Sequence, residues 1–377
     1  MLVTWYLFRV SIRIFADFAL TLESTSIFCI IPPHILHSIA LHGTPQQRTH
    51  ALRTLSLDQT HRTRRITNAL LAASATRVAP HVAPAGGAAQ VQRTIYDTHQ
   101  TTSLPGGAVR AEGANATGDP AVDEAYDGLG ATFKFYLQAY QRNSIDNQGL
   151  PLLATVHYDA NYDNAFWDGQ QMIFGDGDGQ LFNRFTISLD VIGHELTHGV
   201  TQTDAKLIYQ SQPGALNESI SDVFGSMVKQ FALNQTADQA DWLIGAGLFT
   251  ANVQGVALRS MKAPGTAYND PVLGQDPQPA TMQNYVQTAD DNGGVHINSG
   301  IPNHAFYLAA TQLGGHSWEK AGLIWYNTLH DPTLQPTSDF QSFAQLTANN
   351  ADQLFGQGSA EGRAVRTAWN EVGIALT

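Results

Sequence analysis

The stretch of sequence that decides the fold runs Ile187-Ser-Leu-Asp-Val-Ile-Gly-His194-Glu195-Leu-Thr-His198-Gly-Val200. Its apolar residues recur at helical spacing, so we predict a helix over 187–203. His194 and His198 lie four residues apart and share one helix face, where two imidazoles can bind a single Zn²⁺. Glu195 follows the first histidine and can take a proton from a metal-activated water. The stretch therefore predicts a catalytic zinc site.

A candidate for the third ligand lies in the stretch Gly214-Ala-Leu-Asn-Glu218-Ser-Ile-Ser-Asp222. A catalytic zinc needs three protein ligands and one open position. Glu218 lies at the start of a helix predicted over 214–232 and completes a His₂Glu ligand set. Asp222, one turn further along, can accept the remaining N–H of a ligand histidine and fix its tautomer.

A histidine on a glycine-rich turn stands further along, in Asp290-Asp291-Asn-Gly-Gly-Val-His296. A histidine held by a nearby aspartate suits a cationic donor toward a developing oxyanion. The alternative for His296 is a solvated loop residue.

The pattern around these stretches changes from strands to helices along the chain. We predict a helix from Pro120 to Tyr140 with Asp119 as its N-cap. Strands are predicted at 93–98, 108–111, 155–159 and 165–174, and further helices at 301–313, 317–330, 338–355 and 359–373. This order predicts an α+β fold with a mixed α/β lobe over 93–203 and a mainly α-helical lobe over 204–377.

The first 93 residues differ in charge from the rest. They carry nine basic and three acidic residues, whereas the remainder carries 11 basic and 29 acidic residues. The net charge of −12 argues against a general nucleic-acid binder. The Pro/Ala/Gly run over 80–89 predicts an exposed linker with a domain boundary at about 80–93. We therefore predict a basic unit with its linker over 32–92, preceded by an extension of undefined role over 1–31.

The extension contains the only cysteine of the chain, Cys29, so no intramolecular disulfide can form. Charged residues interrupt its apolar residues, so we expect no transmembrane helix. Arg9 and Arg13 come late for a secretory signal, whose charges precede a clean apolar run. Two interpretations of Cys29 stay open: a thiolate that caps a metal in a latent precursor, or a small apolar residue.

Taken together, these stretches resemble the thermolysin-like (M4) family of zinc metalloendopeptidases. The segments that carry the resemblance follow the family's order: 163–167, 175–179, 194–198, 207–210, 217–222, 258–261 and 292–301. The segment 31–36 looks like the start of the short prosegment of the protealysin-like branch. The resemblance implies a two-lobe fold with one Zn²⁺ between the lobes and a short basic prosegment within 32–92.

The resemblance also implies a role for each residue of the reaction site. His194, His198 and Glu218 would be the zinc ligands, and Glu195 the general base that later protonates the leaving amine. Tyr209 and His296 would donate hydrogen bonds to the oxyanion. Asp291 would orient His296, and Asp222 would support the ligand histidines.

The family resemblance implies a substrate site as well. Asn164 and the Ala165 backbone would hold the substrate as an added strand, and Arg259 would bind the carbonyl on the leaving side. An apolar pocket for a large side chain after the scissile bond would be lined by Phe182, Phe185, Val191 and Leu258.

The match departs from the family at its paired calcium site. Asp190 and Asp241 remain, but Lys229, Leu243 and Ala246 stand where further acidic ligands would be. A lysine and two apolar residues supply no oxygen ligand to Ca²⁺. We therefore predict that the double calcium site is absent and that Lys229 pairs with Asp190 or Asp241.

The glycine-rich segment 175–179 lacks the ligand spacing of an EF-hand loop, and we predict a hairpin turn there. Other calcium positions stay open.

The predicted function is a secreted zinc endopeptidase, made as a zymogen, that cleaves peptide bonds N-terminal to large hydrophobic residues. Its expected partners are protein or peptide substrates and its own prosegment; we expect a monomer that binds neither nucleic acid nor membrane. A catalytically silent scaffold would have lost a ligand or the base, yet every position is intact. A zinc hydrolase for non-peptide substrates is disfavoured by Asn164 and Arg259.

Overall fold

A computed structural model describes residues 28–74 and 89–376 of the chain. The predictions for residues 1–27 and for the linker over 80–88 lie outside the described residues.

The N-terminal part is built on a mixed six-stranded sheet. Its strands lie in the order β1-β5-β6-β4-β2-β3, with β6, β4 and β2 parallel and the other neighbours antiparallel. The strands are β1 (Phe28–Cys29), β2 (Arg93–Asp97), β3 (Gly107–Ala111), β4 (Leu152–Val156), β5 (Ala165–Trp167) and β6 (Met172–Phe174). The edge beyond β5 is therefore covered by a strand from the front of the chain.

Helices dominate the second half. Two central helices, α4 (Leu189–Thr203) and α5 (Ser211–Leu233), follow the sheet, and α3 (Pro120–Tyr140) packs between the sheet and these helices. The remaining helices are α6 (Asp291–Asn298), α7 (Gly300–Leu313), α8 (Ala321–Leu329), α9 (Phe340–Phe355) and α10 (Ala360–Glu371). This architecture confirms the predicted α+β class, with a mixed first lobe and a helical second lobe.

The structure corrects three predictions of strands and turns. The strand predicted at 155–159 is β4, which ends at Val156 because His157 and Asp159 take left-handed backbone angles. The single strand predicted over 165–174 is two antiparallel strands, since Asp168 caps a turn between them. The segment 175–179 is a loop rather than a hairpin turn, and Asp178 accepts three backbone N–H groups there.

The two central helices approach closely because small residues meet at their contact. A Cβ atom at Gly225 would lie 2.4 Å from the Asp190 carbonyl oxygen and 2.9 Å from the His194 nitrogen. A Cβ atom at Gly193 would lie 3.0 Å from the Gly225 Cα atom. Any larger residue would push the helices apart, so these glycines hold Glu218 on α5 close to the histidines on α4.

The front of the chain docks on this body through β1 and two helices, α1 (Pro33–His42) and α2 (Pro45–Ser74). Each helix begins at a proline, whose missing N–H is not needed in the first turn. Arg53 on α2 pairs with Asp159 at 2.5 Å, and the Tyr162 hydroxyl donates to Asp58 at 2.5 Å. Within the described ranges, no helix is long and apolar enough to cross a bilayer.

Candidate active site

The structure brings the three predicted metal ligands together in the core. His194, His198 and Glu218 each offer one ligand atom, and these atoms lie within 4.8 Å of one another. The two imidazole Nε2 atoms are 3.0 Å apart, and each lies 3.5 Å from a different oxygen of Glu218. All three side chains are buried, at 1% exposure or less.

The other ring nitrogen of each histidine already has a partner. His194 Nδ1 lies 2.8 Å from Asp222 Oδ1, and His198 Nδ1 lies 2.9 Å from Asn217 Oδ1. When each Nδ1 carries the hydrogen and donates it to its acceptor, each Nε2 carries a lone pair instead. The two Nε2 lone pairs then face each other.

These residues fit a bound cation. Two facing lone pairs repel each other unless a cation stands between them, and Glu218 Oε2 is buried with no hydrogen-bond partner. Two neutral imidazoles and one carboxylate are a donor set that Zn²⁺ prefers at catalytic sites. Within the part of the chain that the structure describes, no second group of three such residues could hold a metal.

Asp222 lies at the centre of a buried network beneath the ligands. Its two oxygens accept from Arg259 Nε and Nη2 at 2.8 Å each, and Oδ2 also accepts from Asn303 at 2.8 Å. Burial alone would raise the pKa of Asp222, but Arg259 and His194 outweigh it and lower the pKa to about 2. Asp222 therefore stays ionised and fixes the His194 ring.

Glu195 lies on the same helix and is fully buried. Its Oε2 accepts the Trp167 backbone N–H at 3.0 Å, whereas Oε1 has no hydrogen-bond partner. Burial raises the pKa of Glu195 well above its ordinary value, because the charged form loses its hydration. A carboxylate whose pKa is raised in this way is a stronger base than an exposed one, which suits it to accept a proton.

The opposite wall carries His296 and Tyr209. His296 Nδ1 lies 2.7 Å from Asp291 Oδ1, and its Nε2 lies 3.3 Å from the Tyr209 hydroxyl and 3.5 Å from Glu218 Oε2. The Tyr209 hydroxyl also donates to Glu218 Oε1. Burial lowers the pKa of His296, but Asp291 and Glu218 outweigh it and raise the pKa.

The turn that presents His296 uses a run of left-handed residues over 291–294. Glycine is required at 293, where φ is +83° and a Cβ atom would lie 2.7 Å from Ser211 Oγ. The glycine-rich pattern thus serves to carry His296 toward the ligand cluster.

The residues predicted to bind substrate already form hydrogen bonds with the chain just after β1. Asn164 Oδ1 accepts the Ile31 N–H at 3.0 Å, and the Ala165 carbonyl accepts the Ile30 N–H at 3.1 Å. Arg259 Nη1 donates to the Ile30 carbonyl at 3.3 Å. The structure therefore places an added strand where the family resemblance implies that a substrate strand binds.

The four residues predicted to line the apolar pocket, Phe182, Phe185, Val191 and Leu258, are at most 2% exposed. They belong to the main hydrophobic core of the described residues, as does Ile30. Their role in specificity stays a prediction.

Lys229 lies between two carboxylates, and Cys29 lies in an apolar cluster. Lys229 Nζ lies 2.7 Å from Asp190 Oδ2 and 2.9 Å from Asp241 Oδ1, so the predicted pairing is present with both carboxylates. Cys29 is buried in a cluster with Tyr158 and Phe166 and is not among the described residues that could hold the metal. The structure thus favours the apolar interpretation of Cys29.

Two contacts escaped the sequence analysis. Asn217, which hydrogen-bonds to His198, directly precedes Glu218 in sequence. Its position within the stretch 214–222 was the one sequence signal for this contact. Asn303 reaches Asp222 from 81 residues away in sequence, and no local pattern announces such a contact.

Comparisons with known proteins agree with this geometry. The family model described as Thermolysin metallopeptidase, catalytic domain, matches residues 84–202. The model described as Thermolysin metallopeptidase, alpha-helical domain, matches residues 205–374.

Similar whole proteins are also known. An extracellular metalloprotease of Pectobacterium carotovorum subsp. carotovorum is 55% identical over 356 residues, which cover 94% of this chain and 99% of that protein. Protease PrtS of Photorhabdus sp. (strain Az29) is 48% identical and covers 92% of each chain. The solved precursor of protealysin, a metalloproteinase from Serratia proteamaculans, superposes with a TM-score of 0.83 at 55% identity; the match covers 92% of this chain and 100% of that one.

Proposed function

From the premise that this chain belongs to the thermolysin metallopeptidase family, we propose how its own residues hydrolyse a peptide bond. The protein is a zinc-dependent metalloendopeptidase, a hydrolase made with a prosegment. The observation that carries the residue-level proposal is the buried convergence of His194, His198 and Glu218, with Glu195 on the same helix.

His194, His198 and Glu218 hold the catalytic Zn²⁺ in this proposal. When bound, Zn²⁺ polarises the scissile carbonyl and lowers the pKa of a water to about 7. Asp222 and Asn217 hold the two imidazoles in the tautomer that leaves Nε2 available.

Glu195 moves the protons of the reaction. Its Oε2 is fixed by the Trp167 N–H, and its Oε1 is left to accept a proton from the attacking water. The same carboxyl then delivers that proton to the leaving amine. Burial raises the pKa of this carboxyl, which makes its carboxylate a stronger base toward the water.

His296 and Tyr209 stabilise the oxyanion that develops on the carbonyl oxygen. Asp291 holds the His296 ring by Nδ1, so Nε2–H points toward the cleft. Removal of one such donor typically costs about 2.7–4 kcal/mol of transition-state stabilisation.

Asn164, Ala165 and Arg259 align a substrate strand along β5, as they now align residues 29–31. In this proposal Phe182, Phe185, Val191 and Leu258 line the pocket that receives a large hydrophobic side chain after the scissile bond. The preferred substrates are therefore proteins or peptides cut N-terminal to large hydrophobic residues. We assign the prosegment and its linker to 32–92, the first catalytic lobe to 93–203 and the second to 204–377.

The prosegment and the end of the extension before it, residues 29–31, inhibit the enzyme by covering the cleft. Residues 29–31 use the hydrogen-bonding groups that a substrate needs, and α2 adds the Asp58 carboxylate, which accepts from Asn164 Nδ2 at 3.0 Å.

Similar proteins carry the name extracellular metalloprotease, and we place this enzyme outside the cell as well, as a monomer. The Lys229 ammonium takes the place of the paired calcium ions.

The test compares Glu195→Gln with the wild-type chain after maturation. Both proteins should contain about one zinc per chain, because Glu195 is not a ligand. The variant should cleave casein at least about 100-fold more slowly, since it cannot take the proton. Glu371→Gln, at an exposed position at the end of α10, is the matched control and should leave the rate unchanged. Undiminished cleavage by Glu195→Gln, or cleavage that survives a chelator, contradicts the proposal.

A further inference from the structure

The residues bound in the cleft have a defined register. His296 Nε2 lies 3.1 Å from the Cys29 carbonyl oxygen and 3.5 Å from Glu218 Oε2. The Cys29 carbonyl therefore lies beside the metal-ligand cluster, at the donor proposed for the oxyanion. A peptide carbonyl in this position is the one that the site would attack.

The groups that follow along the chain are bound in the order that a substrate requires. The Ile30 N–H donates to the Ala165 carbonyl, and the Ile30 carbonyl accepts from Arg259 on the leaving side. The Ile31 N–H then donates to Asn164 Oδ1. The chain direction is antiparallel to β5, with Cys29 opposite Phe166. Four consecutive polar groups thus contact the substrate machinery in a single register.

The side chains agree with that register. Ile30 is fully buried and belongs to the main hydrophobic core, as do Val191 and Leu258. Cys29 belongs to the separate cluster with Tyr158 and Phe166, as expected for neighbours that point to opposite faces of a strand. A large hydrophobic residue therefore follows the peptide bond that faces the ligands.

We propose that the Cys29–Ile30 bond, near the end of the extension that precedes the prosegment, is a processing site that the enzyme cleaves in its own chain. One water is consumed: its oxygen bonds to the Cys29 carbonyl carbon, the C–N bond breaks, and Ile30 leaves as an amine with a proton from Glu195. The products are a fragment that ends in a Cys29 carboxylate and a chain that begins at Ile30. This inference rests on the proposed function.

Cleavage at this bond does not release the prosegment. The part after Ile30 stays docked through contacts that the cut leaves intact, including the Arg53–Asp159 pair and the hydrogen bond from Tyr162 to Asp58. His34 Nε2 also lies 3.1 Å from the Tyr268 hydroxyl. The new Ile30 terminus should therefore appear before the prosegment is lost, and activity on casein should stay low at that stage.

The test incubates the purified full chain with zinc and follows its N-terminus by mass spectrometry. The chain that begins at Ile30 should form in the wild type and at least about 100-fold more slowly in Glu195→Gln. Its rate should not change with protein concentration, because the bond lies in the cleft of its own molecule. Ile30→Asp should abolish this cut, and Ile30→Leu should keep it. Leu41→Asp, at a position of α1 that is 68% exposed, controls for a new charge in the prosegment.

A second measurement tests the register without catalysis. In Glu195→Gln, where the bond stays whole, hydrogen exchange should show protected amides at Ile30 and Ile31. Rapid exchange at both amides overturns the inference, because the strand would not be docked.

The remaining outcomes are separable. An intact Cys29–Ile30 bond in a chain that matures and cleaves casein overturns the inference and leaves the proposed function standing. An Ile30 terminus that forms equally in Glu195→Gln means that another protease cuts there, which also overturns it. Loss of the cut together with no casein cleavage by mature wild-type enzyme overturns both.

Discussion

Two buried carboxylate clusters on the central helices solve the same electrostatic problem in opposite ways. At the first, Glu218 faces two imidazoles, and its Oε2 has no hydrogen-bond partner. At the second, Asp190 is equally buried, but the Lys229 ammonium lies 2.7 Å away. Under the proposed function, the first cluster depends on a cation from solution, whereas the second contains its own.

The difference follows from what each cluster must do. A lysine within reach fills its site permanently and leaves no open position, which suits a cluster that only holds α4, α5 and β7 (Leu243–Ile244) together. Burial lowers the pKa of Lys229, but Asp190 and Asp241 outweigh it and raise the pKa, so the ammonium stays charged. A metal ion keeps a vacant coordination position for a substrate oxygen.

The largest effect should come from breaking the first cluster. Glu218→Gln removes the only carboxylate among the proposed ligands, so we expect loss of bound zinc and a fall in kcat/KM of at least about 1,000-fold, or about 4 kcal/mol. The checks are zinc content after dialysis and the rate of casein cleavage by the matured protein. A chelator should lower the unfolding midpoint of the wild type but not that of the variant, since only the wild type holds the ion.

Glu371→Gln, at an exposed position at the end of α10, serves again as the matched control. A Glu218→Gln protein that still contains one tightly bound zinc and cleaves casein at the wild-type rate contradicts this assignment of the ligand.

Breaking the second cluster should lower the stability of the protein and leave its zinc content unchanged. Lys229→Met leaves Asp190 buried without its cation, which we expect to cost about 3 kcal/mol of unfolding free energy. Zinc content should not change. Urea denaturation checks the value, with the exposed Lys262→Met as the matched control.

The double variant Lys229→Met with Asp190→Asn should recover part of that loss, because it no longer buries an unpaired charge. A loss of less than about 1 kcal/mol of unfolding free energy in the single variant Lys229→Met would contradict this prediction. It would mean that the attraction between Lys229 and Asp190 barely exceeds the hydration that both groups lose on folding.

The sequence predicts these two clusters with unequal completeness. His194, Glu195 and His198 share one helical turn, so their spacing alone predicts the metal site. Lys229 could be assigned only through the family's calcium positions. Asn303 contacts Asp222 across 81 residues, and the interaction of Asp58 with Asn164 depends on where the prosegment docks. Such contacts arise from tertiary packing and leave no local pattern.

Element bounds show the same limit. Helix α5 begins at Ser211 rather than at 214, because a proline at 213 is tolerated in the first turn, where its missing N–H has no partner. Strand β4 ends at Val156 because His157 and Asp159 take left-handed backbone angles, which strand periodicity does not predict.

His157 supplies the smallest effect and the sharpest comparison with Lys229, because its charge can be removed by pH. Its Nδ1 lies 2.9 Å from Asp176 and its Nε2 lies 3.0 Å from Asp119. The Asp176 hydrogen bond raises the pKa of His157, burial opposes it, and the net effect is a rise to about 9. In the unfolded chain the pKa of histidine is about 6.5.

A pKa that is higher in the folded state gives stability that is fully present below pH 6.5 and lost as the pH rises through about 9. We expect His157→Gln to cost about 1–2 kcal/mol of unfolding free energy at pH 6, with the side chain's partial exposure taken into account. The cost should shrink toward zero by pH 10, whereas the cost of Lys229→Met should stay constant over pH 6–9. Urea denaturation at pH 6, 7.5, 9 and 10 measures both, with His99→Gln at a highly exposed histidine as the control. A His157→Gln cost that is independent of pH would show that the imidazole acts there as a neutral hydrogen-bonding group and not as a cation.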